Sequence, residues 1–347
     1  MKYTVLADNL RKEILSGSLK YGERLKTECE LANLYGISRQ TVRHSLDLLE
    51  QDGFIYKKRG SGSYVNYIRE DHKPHTQRIG VIVTYIGDYI FPAMLRGIDS
   101  VLTEHSYSMV LKATQNRIDN ERAILQTFLQ DPVDGLIIEG TKTALPNPNL
   151  GLYEELIKQK VPMVFMNSYD PQLENPHYVV MNDREGSLHA IQYLVQHGHR
   201  EIVGIFKSDD IQGIGRYTGF INGLSQNNLP ISDERLIWYN TESKTLILDE
   251  LCDKLSSPAC AGATAYVCYN DEIARRTVEA LHLIGSDTSD KVVVSFDENV
   301  YFEHFSGKIV TLKHPKEIMG HKAATMLIDI INGGTNQSVT LPWEFEI

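Results

Sequence analysis

A short polar face near the N-terminus carries the side chains of this chain that are best suited to binding nucleic acid. Five of its residues fall outside the apolar stripe of a predicted helix: Arg39, Gln40, Arg43, His44 and Asp47. Arg and Gln form paired hydrogen bonds with the edges of guanine and adenine in the major groove of DNA. The pattern therefore predicts a DNA-reading helix, against the alternative of an ordinary solvated helix face.

A basic hairpin is predicted directly after this helix. Residues 54–56 and 63–65 have the composition of short strands, and the six residues between them read KKRGSG. A glycine-rich tip with adjacent cations can follow a phosphate backbone or enter a minor groove. We expect the contacts to come from the tip, namely Lys58, Arg59, Gly60 and Ser61.

Capping signals predict the elements that would position these groups. Thr27 and Glu30 form the pattern of a capping box, which starts a short helix. Gly36 suits a sharp turn, and Ser38 is a favoured residue before the next helix. The order of helix, turn, helix and hairpin predicts an α+β winged helix-turn-helix domain over residues 1–66.

This segment resembles the GntR family of bacterial regulators. The matching residues are Gly22, Leu25, Glu28, Leu31, Ala32, Tyr35, Gly36, Ile37, Ser38, Arg39, Thr41, Val42, Arg43, Leu49, Gly53, Gly60, Gly62 and Val65. The resemblance implies that the second helix enters the groove of double-stranded operator DNA with Arg39, Gln40, Thr41, Arg43 and His44. It also implies that Arg24 and the hairpin contact the DNA backbone. Thr27 and Ser38, at the starts of the two helices, are expected to contact phosphate.

Charge and composition separate this head from the rest of the chain. Residues 1–68 hold 11 Lys and Arg against 8 Asp and Glu, whereas the remainder holds 24 against 37. No apolar run approaches the ~20 residues of a membrane helix, and the first residues lack the apolar core of a signal peptide. The four cysteines show no CxxC spacing, which predicts reduced thiols. Together these observations predict a cytoplasmic protein without a membrane segment.

A polar stretch, residues 67–77, is predicted to link the head to a large domain over residues 78–347. Short apolar strands alternate there with amphipathic helices, and the strand candidates are 79–84, 109–112, 135–139, 163–166, 202–206, 266–268 and 292–296. Repeated β-α units predict parallel sheets with helices on both faces. Because about 270 residues exceed one comfortable sheet, we expect an α/β domain of two lobes with a cleft between them.

Polar residues follow the predicted strands, where ligands bind in parallel sheets. Lys207, Asp209 and Asp210 are examples, and Arg216 is predicted to start a helix behind two glycines. Aromatic rings can cover the C–H face of a sugar, while Asp, Asn and Arg side chains bond its hydroxyls. The pattern favours a small polyol, although a single strand-end Asp is more often a helix cap.

The large domain resembles the effector domain of the LacI/GalR regulators, which is similar to periplasmic sugar-binding proteins. The resemblance is carried by residues 79–81, 133–138, 161–162, 198–202, 216–220, 269–274, 296–297 and 319–324. It implies effector contacts at Tyr89, Phe91, Asn167, Arg216, Asn270, Asp297 and His314.

Four stretches are similar to the bacterial L-arabinose-responsive repressors: 137–145, 204–213, 268–274 and 312–316. This likeness adds Glu139 and Lys142 to the expected effector contacts and implies a small neutral sugar, L-arabinose. Two subunits are expected to pair as a homodimer through their large domains and to meet a two-fold operator. Closure of the lobes on the sugar is expected to release the operator.

Other functions are alternatives at this point. Gly213, Gly215 and Gly219 miss a dinucleotide-binding fingerprint by one residue, and no acidic residue is placed for a ribose. His197 and His199 have no third metal ligand near them in the sequence. We therefore predict no enzyme activity, no cofactor and no metal. A sugar carrier is one alternative, and a regulator that responds to another pentose, a hexose or a purine is another.

Overall fold

The computed structural model describes residues 2–16, 18–58, 60–66, 76–87, 90–297 and 305–346. The chain divides into two compact units, Met1–His75 and Thr76–Ile347. Residues 67–75 of the predicted linker lie outside the described residues. So do two of the predicted binding residues, Arg59 and Tyr89.

The first unit contains three helices and a hairpin, which are α1 (Lys2–Leu15), α2 (Glu28–Tyr35), α3 (Arg39–Gln51), β1 (Ile55–Lys58) and β2 (Gly62–Val65). Thr27 caps α2 in a capping box, and Gly36 ends α2 in the left-handed region at φ 60°. Ser38 caps α3 by accepting a hydrogen bond from Thr41 N over 3.2 Å. The predicted winged helix-turn-helix is confirmed, and its core contains residues from all three helices and both strands.

The second unit contains, in chain order, β3 (Arg78–Val83), α4 (Phe91–Glu104), β4 (Ser108–Ala113), α5 (Ile118–Gln130), β5 (Gly135–Ile138), α6 (Leu150–Lys158), β6 (Met163–Asn167), β7 (His177–Met181), α7 (Asp183–Gln196), β8 (Ile202–Lys207), α8 (Ile211–Gln226), β9 (Leu236–Tyr239), α9 (Ile247–Leu255), β10 (Ala265–Cys268), α10 (Asp271–Leu283), β11 (Val292–Phe296), β12 (Lys308–Lys313), α11 (Lys316–Ile331), β13 (Val339–Leu341) and β14 (Glu344–Glu346). Two short 3-10 helices span Asp233–Arg235 and Ser243–Leu246.

These elements form two lobes, each built on a six-stranded sheet. In lobe 1 the strand order is β13-β7-β6-β5-β3-β4, and all neighbouring strands are parallel. In lobe 2 the order is β14-β12-β11-β10-β8-β9, with parallel neighbours except for the antiparallel pair β12–β14. The predicted α/β architecture with parallel sheets in two lobes is confirmed.

Helices cover both faces of these sheets. As a result β5, β6, β8, β10 and β11 are buried at every residue, which explains why they read as continuous apolar runs. In the described residues the chain leaves lobe 1 after β7 and returns after β12 to form α11 and β13. It then crosses back to form β14. The two lobes are therefore joined by several chain segments, an arrangement that permits hinge motion without separation.

Helix α8 differs from its prediction. It begins at Ile211, so Arg216 lies in its second turn, and the prediction that Arg216 starts a helix is wrong. The two glycines ahead of Arg216 lie inside the helix. A Cβ on Gly213 would lie 1.9 Å from the carbonyl oxygen of Lys207, so this glycine permits the close packing of α8 on the end of β8.

Candidate functional site: the recognition helix and the interlobe cleft

The outward face of α3 is open to solvent at its N-terminal end. Ser38, Arg39, Gln40, Arg43 and His44 are exposed, and Thr41 is half-buried. On the opposite face Val42, Leu46 and Leu49 pack into the core. The helix thus presents its first two turns to solvent, which is the arrangement that major-groove reading requires.

Arg43 on this face is held by a carboxylate of the preceding helix. Its Nε donates to Glu28 Oε1 over 3.1 Å, and its Nη2 donates to Glu28 Oε2 over 2.9 Å. The hydrogen bond from Arg43 lowers the pKa of the Glu28 carboxyl. Because the Arg43 side chain stays 64% exposed, the two-point contact orients the guanidinium without burying it.

Two of the predicted phosphate contacts also serve the first unit itself. The Thr27 hydroxyl donates to the Glu30 carboxylate over 2.8 Å and accepts from Glu30 N over 3.3 Å. Arg24 forms a β-bridge with Tyr64, and its guanidinium lies beside Gly62. Both side chains are nevertheless exposed, so Arg24 joins the loop before α2 to the hairpin and still faces solvent.

The base of the hairpin is anchored on α3. Lys57 forms an ion pair with Asp47, and its Nζ lies 2.9 Å from Glu50 Oε2. These two carboxylates raise the pKa of Lys57 against the opposing effect of burial. Lys57 therefore keeps its positive charge, which the two carboxylates balance, although Lys57 belongs to the basic run of the predicted tip.

The tip itself has the geometry of a tight turn. Gly60 has φ 76°, and Gly62 has φ 123°, both conformations that favour glycine. Lys58, opposite Gly62 in the strand register, is exposed and carries the positive charge of the described part of the tip. Ser61 Oγ lies 2.5 Å from Tyr64 OH, so this hydroxyl already has a partner within the hairpin.

In the second unit, residues that follow the strands of both sheets line one cavity. Lobe 1 supplies Thr84, Tyr85, Ile90, Phe91, Asn116, Glu139, Gly140 and Ser168, and lobe 2 supplies Lys207, Asp210, Gln212, Arg216, Tyr239, Lys244, Tyr269, Asn270, Glu272, Asp297 and His314. The predicted contacts Phe91, Glu139, Arg216, Asn270, Asp297 and His314 are brought together here. Aromatic rings with convergent polar groups are typical of a site for a hydroxylated small molecule.

Glu139 provides a buried acceptor on the lobe 1 side. Its Oε2 accepts a hydrogen bond from Thr84 N over 2.8 Å and another from the Thr84 hydroxyl, while its Oε1 accepts from Asn167 Nδ2 over 3.0 Å. Burial raises the pKa of Glu139 to about 7, although these hydrogen bonds oppose the rise. The carboxyl therefore changes protonation near neutral pH.

Arg216 provides a buried cation on the lobe 2 side. Its Nε donates to Asp183 Oδ1 over 2.9 Å, and the guanidinium lies 4.3 Å from the ring centre of Phe296 and 5.0 Å from that of Trp343. Burial disfavours its charge, but the carboxylates of Asp183 and Asp297 outweigh that cost and raise the pKa of Arg216. The side chain is thus a fixed positive charge in an aromatic enclosure.

Three further predicted contacts have defined local roles. Asn270 caps α10, since its Oδ1 accepts from Ile273 N over 3.1 Å. Asp297 directly follows β11 and has φ 97°, an unfavourable conformation for a residue with a Cβ. Such strain is often found at functional sites. Burial lowers the pKa of His314 to about 4, so the ring is neutral at pH 7. These groups offer the cavity an amide, a carboxylate and an imidazole.

Two predicted contacts lie away from the cavity wall. Asn167 lies behind it, where its amide bonds Glu139 and has its Oδ1 3.3 Å from His314 Nε2. Lys142 instead makes an ion pair between the lobes, with its Nζ 2.5 Å from Glu242 Oε1. Asn167 is thus placed to orient two lining residues, whereas Lys142 makes an exposed contact across the lobes.

The remaining lining residues were not named as effector contacts, although Lys207 and Asp210 were noted as strand-end residues. Lys207 and Asp210 follow a predicted strand, so the strand-end rule points to them. Tyr239 ends β9 and Lys244 follows it, and the apolar pattern did not predict this strand. Asn116 sits in a loop without any motif. Lys207 binds Asp210, and the two carboxylates Asp209 and Asp210 outweigh burial to raise the pKa of this lysine.

The described residues contain neither a metal-binding cluster nor a helix that could span a membrane. Within the described ranges, no group of three or more His, Cys, Asp or Glu side chains is placed to hold a metal ion. None of the described helices has both the length and the apolar character needed to cross a membrane. All four cysteines are free thiols.

Comparison with known proteins finds a matching family in each of the two units. Residues 2–65 match the family of bacterial regulatory proteins of the gntR type, and residues 191–343 match the periplasmic binding protein-like domain. The second unit has the fold of the transcription regulator CcpA of Lactococcus lactis, with a TM-score of 0.67 at 21% identity over 78% of this chain and 97% of that one.

Full-length similarity extends to two repressors. The arabinose metabolism transcriptional repressor of Geobacillus stearothermophilus is 39% identical over 332 residues, which cover 95% of this chain and 91% of that protein. The repressor of the same name from Halalkalibacterium halodurans is 33% identical, over 95% and 89% of the two chains. These matches span the winged helix and both lobes. The chain belongs to the family of arabinose metabolism transcriptional repressors, which are DNA-binding regulators and not enzymes.

Proposed function

We propose that this repressor binds L-arabinose in the interlobe cavity, acts as a homodimer in the cytoplasm, and is released from its operator when the sugar binds. The observation that carries the proposal is the convergence of polar side chains from both lobes on one cavity with aromatic walls. The shared role of the two full-length relatives in arabinose metabolism supports a pentose as the ligand.

The charges of the cavity favour a neutral ligand. Among the described residues, its cations are Lys207, Lys244 and Arg216, and its carboxyls are Glu139, Asp210, Glu272 and Asp297. Because the pKa of Glu139 is raised to about 7, that carboxyl is partly protonated at neutral pH. The described part of the wall is therefore close to electrically balanced, which suits a sugar better than a sugar phosphate.

The hydrogen-bonding groups also suit a compact polyol. Burial raises the pKa of the Tyr239 and Tyr269 phenols, so both keep their protons and can donate as well as accept. Carboxylates such as Asp297 accept from sugar hydroxyls, and charge-assisted bonds of this kind are roughly twice as strong as neutral ones. Tyr85 and Phe91 add apolar surface for the C–H groups of the sugar.

The proposed response couples closure of the lobes to the DNA-binding heads. Two recognition helices of a homodimer would contact the two halves of an operator, so any shift between the subunits would weaken simultaneous docking. Sugar contacts from both lobes favour the closed arrangement over the open one. A coupling of about 1–3 kcal/mol is sufficient for such a switch.

Isothermal titration calorimetry of the full chain tests the ligand assignment. We expect saturable binding of L-arabinose at one site per chain, with much weaker heats for D-galactose, D-xylose and ribose. Asp297→Asn removes a carboxylate acceptor at nearly constant volume and should abolish the heat of binding. Equal binding of L-arabinose by wild type and the Asp297 variant would remove this residue from the site, and no heat with any of these sugars would overturn the proposal.

A further inference from the structure

Asn116 lies where the two lobes meet, in the loop that follows β4. It is completely buried, and its backbone has φ 51°, next to Gln115 at φ 54°. Gln115 N donates to Thr84 O over 2.7 Å, and Asn116 N donates to Thr114 Oγ1 over 3.2 Å, so the loop is fastened to the end of β3. Two consecutive left-handed residues other than glycine are strained, and here they aim one amide side chain at lobe 2.

Both polar atoms of the Asn116 amide, Nδ2 and Oδ1, make hydrogen bonds. Its Nδ2 donates to Thr241 Oγ1 over 2.7 Å and lies 3.3 Å from Asp210 Oδ1, and both of these partners belong to lobe 2. Its Oδ1 accepts from Lys142 N over 2.9 Å within lobe 1. A single buried side chain therefore orders the loop after β5 and, at the same time, holds the opposite lobe.

The surroundings require an amide at this position and exclude a carboxylate. Thr241 donates its own hydroxyl to Asp209 Oδ2 over 2.6 Å, so its oxygen is oriented to accept from Asn116. Asp209 and Asp210 together present two carboxylates close to the contact, and Lys207 partly neutralises them. An Asp in place of Asn116 would face Asp210 without a proton donor between them, which is unfavourable for buried like charges.

Two backbone contacts beside Asn116 also bridge the lobes. Ala144 N donates to Asp209 O over 3.3 Å, and Ile211 N donates to Thr143 Oγ1 over 3.1 Å. Their protons exchange with solvent only when the lobes separate locally, so they report on closure of this side of the cleft. The ion pair of Lys142 with Glu242 also bridges the lobes, but Glu242 is 59% exposed, and such pairs contribute little.

We propose that Asn116 is the positioning residue that keeps the cleft closed, and that it sets how tightly the cavity retains its ligand. This inference deepens the proposed function, since the closed arrangement is the one assigned to the sugar-bound repressor. The contact of Asn116 with Thr241 forms a clasp between the lobes. Because Asn116 also lines the cavity, the clasp lies next to the ligand and can respond to its presence.

Hydrogen–deuterium exchange of the full chain without sugar tests the clasp independently of the ligand. Asn116→Asp should speed exchange of Ala144 N and Ile211 N about tenfold, the change expected when a buried hydrogen bond to a charged group is lost. Gln115→Glu is the matched control, because it adds the same charge to the exposed neighbouring residue and should leave both rates unchanged. Amides of the buried strands β5 and β8 should exchange as in wild type.

If Asn116→Asp destabilises the whole second unit, Thr241→Val serves as a second variant. It removes the lobe 2 partner of the amide and should speed the same two amides about threefold. Unchanged exchange at Ala144 and Ile211 in both variants would overturn the clasp. In operator-release titrations, Asn116→Asp should also require about tenfold more L-arabinose than wild type. If wild type binds no arabinose, the proposed function fails while the exchange result still decides the clasp.

Discussion

Asn167 Nδ2 donates a hydrogen bond to Glu139 Oε1 over 3.0 Å, and both side chains are buried in lobe 1. The other end of the same amide faces a third buried group, since His314 Nε2 lies 3.3 Å from Asn167 Oδ1. Because a carbonyl oxygen can only accept, this geometry assigns the proton to Nε2 of the neutral imidazole. One amide thus joins two titratable groups whose pKa values burial moves in opposite directions.

These two groups have opposite effects on stability as a function of pH. Glu139, with a folded pKa of about 7 against an ordinary 4.5, stabilises the fold fully below pH 4.5 and loses that contribution as the pH rises through 7. His314, with a folded pKa of about 4 against 6.5, contributes fully above pH 6.5 and loses its contribution as the pH falls through 4. Between pH 4.5 and 6.5 the stability contributions of Glu139 and His314 change with pH in opposite directions and nearly cancel.

Single substitutions should reveal the pH dependence that each of the two groups contributes to stability. Relative to wild type, Glu139→Gln should lose up to about 1.4 kcal/mol of unfolding free energy per pH unit as the pH falls from 6.5 to 4.5. His314→Gln should gain a similar amount per unit over the same range. Urea unfolding followed by tryptophan fluorescence measures this, because both tryptophans of the chain, Trp238 and Trp343, lie in the second unit. Variant and wild-type curves that run parallel in pH would contradict the assignment.

On the DNA side, Arg43→Ala should weaken operator binding by about 1–3 kcal/mol, roughly 5- to 150-fold. The guanidinium is oriented by Glu28 and exposed on the recognition face, so its loss should also reduce discrimination between operator and unrelated DNA. Fluorescence anisotropy with labelled operator and a shuffled duplex measures both effects.

Lys58→Ala is the matched comparison within the same unit. As an exposed cation at the hairpin tip, Lys58 should contact phosphate. Its removal should weaken binding to both duplexes equally and reduce the slope of log K against log salt concentration by about one. If Arg43→Ala instead weakened both DNAs alike, Arg43 would be a backbone contact and not a base reader.

Close packing of α4 on α11 gives a prediction about stability. A Cβ on Gly97 would lie 2.1 Å from Glu317 O, so Gly97→Ala should force the helices apart and cost about 1–3 kcal/mol or more. Gly151 in α6 has open space around it, so Gly151→Ala should stabilise by about 0.5–1 kcal/mol. Urea midpoints from tryptophan fluorescence compare the two. An equal effect of both substitutions would contradict the packing described here.

Local signals explain which parts of the fold could be predicted from the sequence. Thr27, Gly36 and Ser38 act within one turn of their own positions, so the winged helix-turn-helix follows from residue types and spacing. The central strands are uniformly apolar because helices cover both faces. By contrast, β13 and β14 have three residues each and pair with β7 and β12, far away in the sequence. Such strands are defined by tertiary pairing, which no local pattern reveals.

The same distinction holds for the cavity. Glu139 and Asp297 were named through the family resemblance, and both lie at the ends of predicted strands, where ligands bind in parallel sheets. Asn116 could not be named from the sequence, because its role depends on a left-handed loop conformation and on partners in the other lobe. Lys142 was expected on the cavity wall and instead pairs with Glu242, since a long side chain can reach past the wall to an opposite charge.

Release of operator DNA by L-arabinose tests the central claim most directly. The full chain bound to fluorescent operator would be titrated with the sugar, using wild type and Asp297→Asn in parallel. We predict that wild type releases the operator over the concentration range in which calorimetry detects binding, and that Asp297→Asn stays bound throughout. If wild type binds L-arabinose yet keeps its full affinity for the operator, the proposed coupling between the cavity and the DNA-binding heads is wrong.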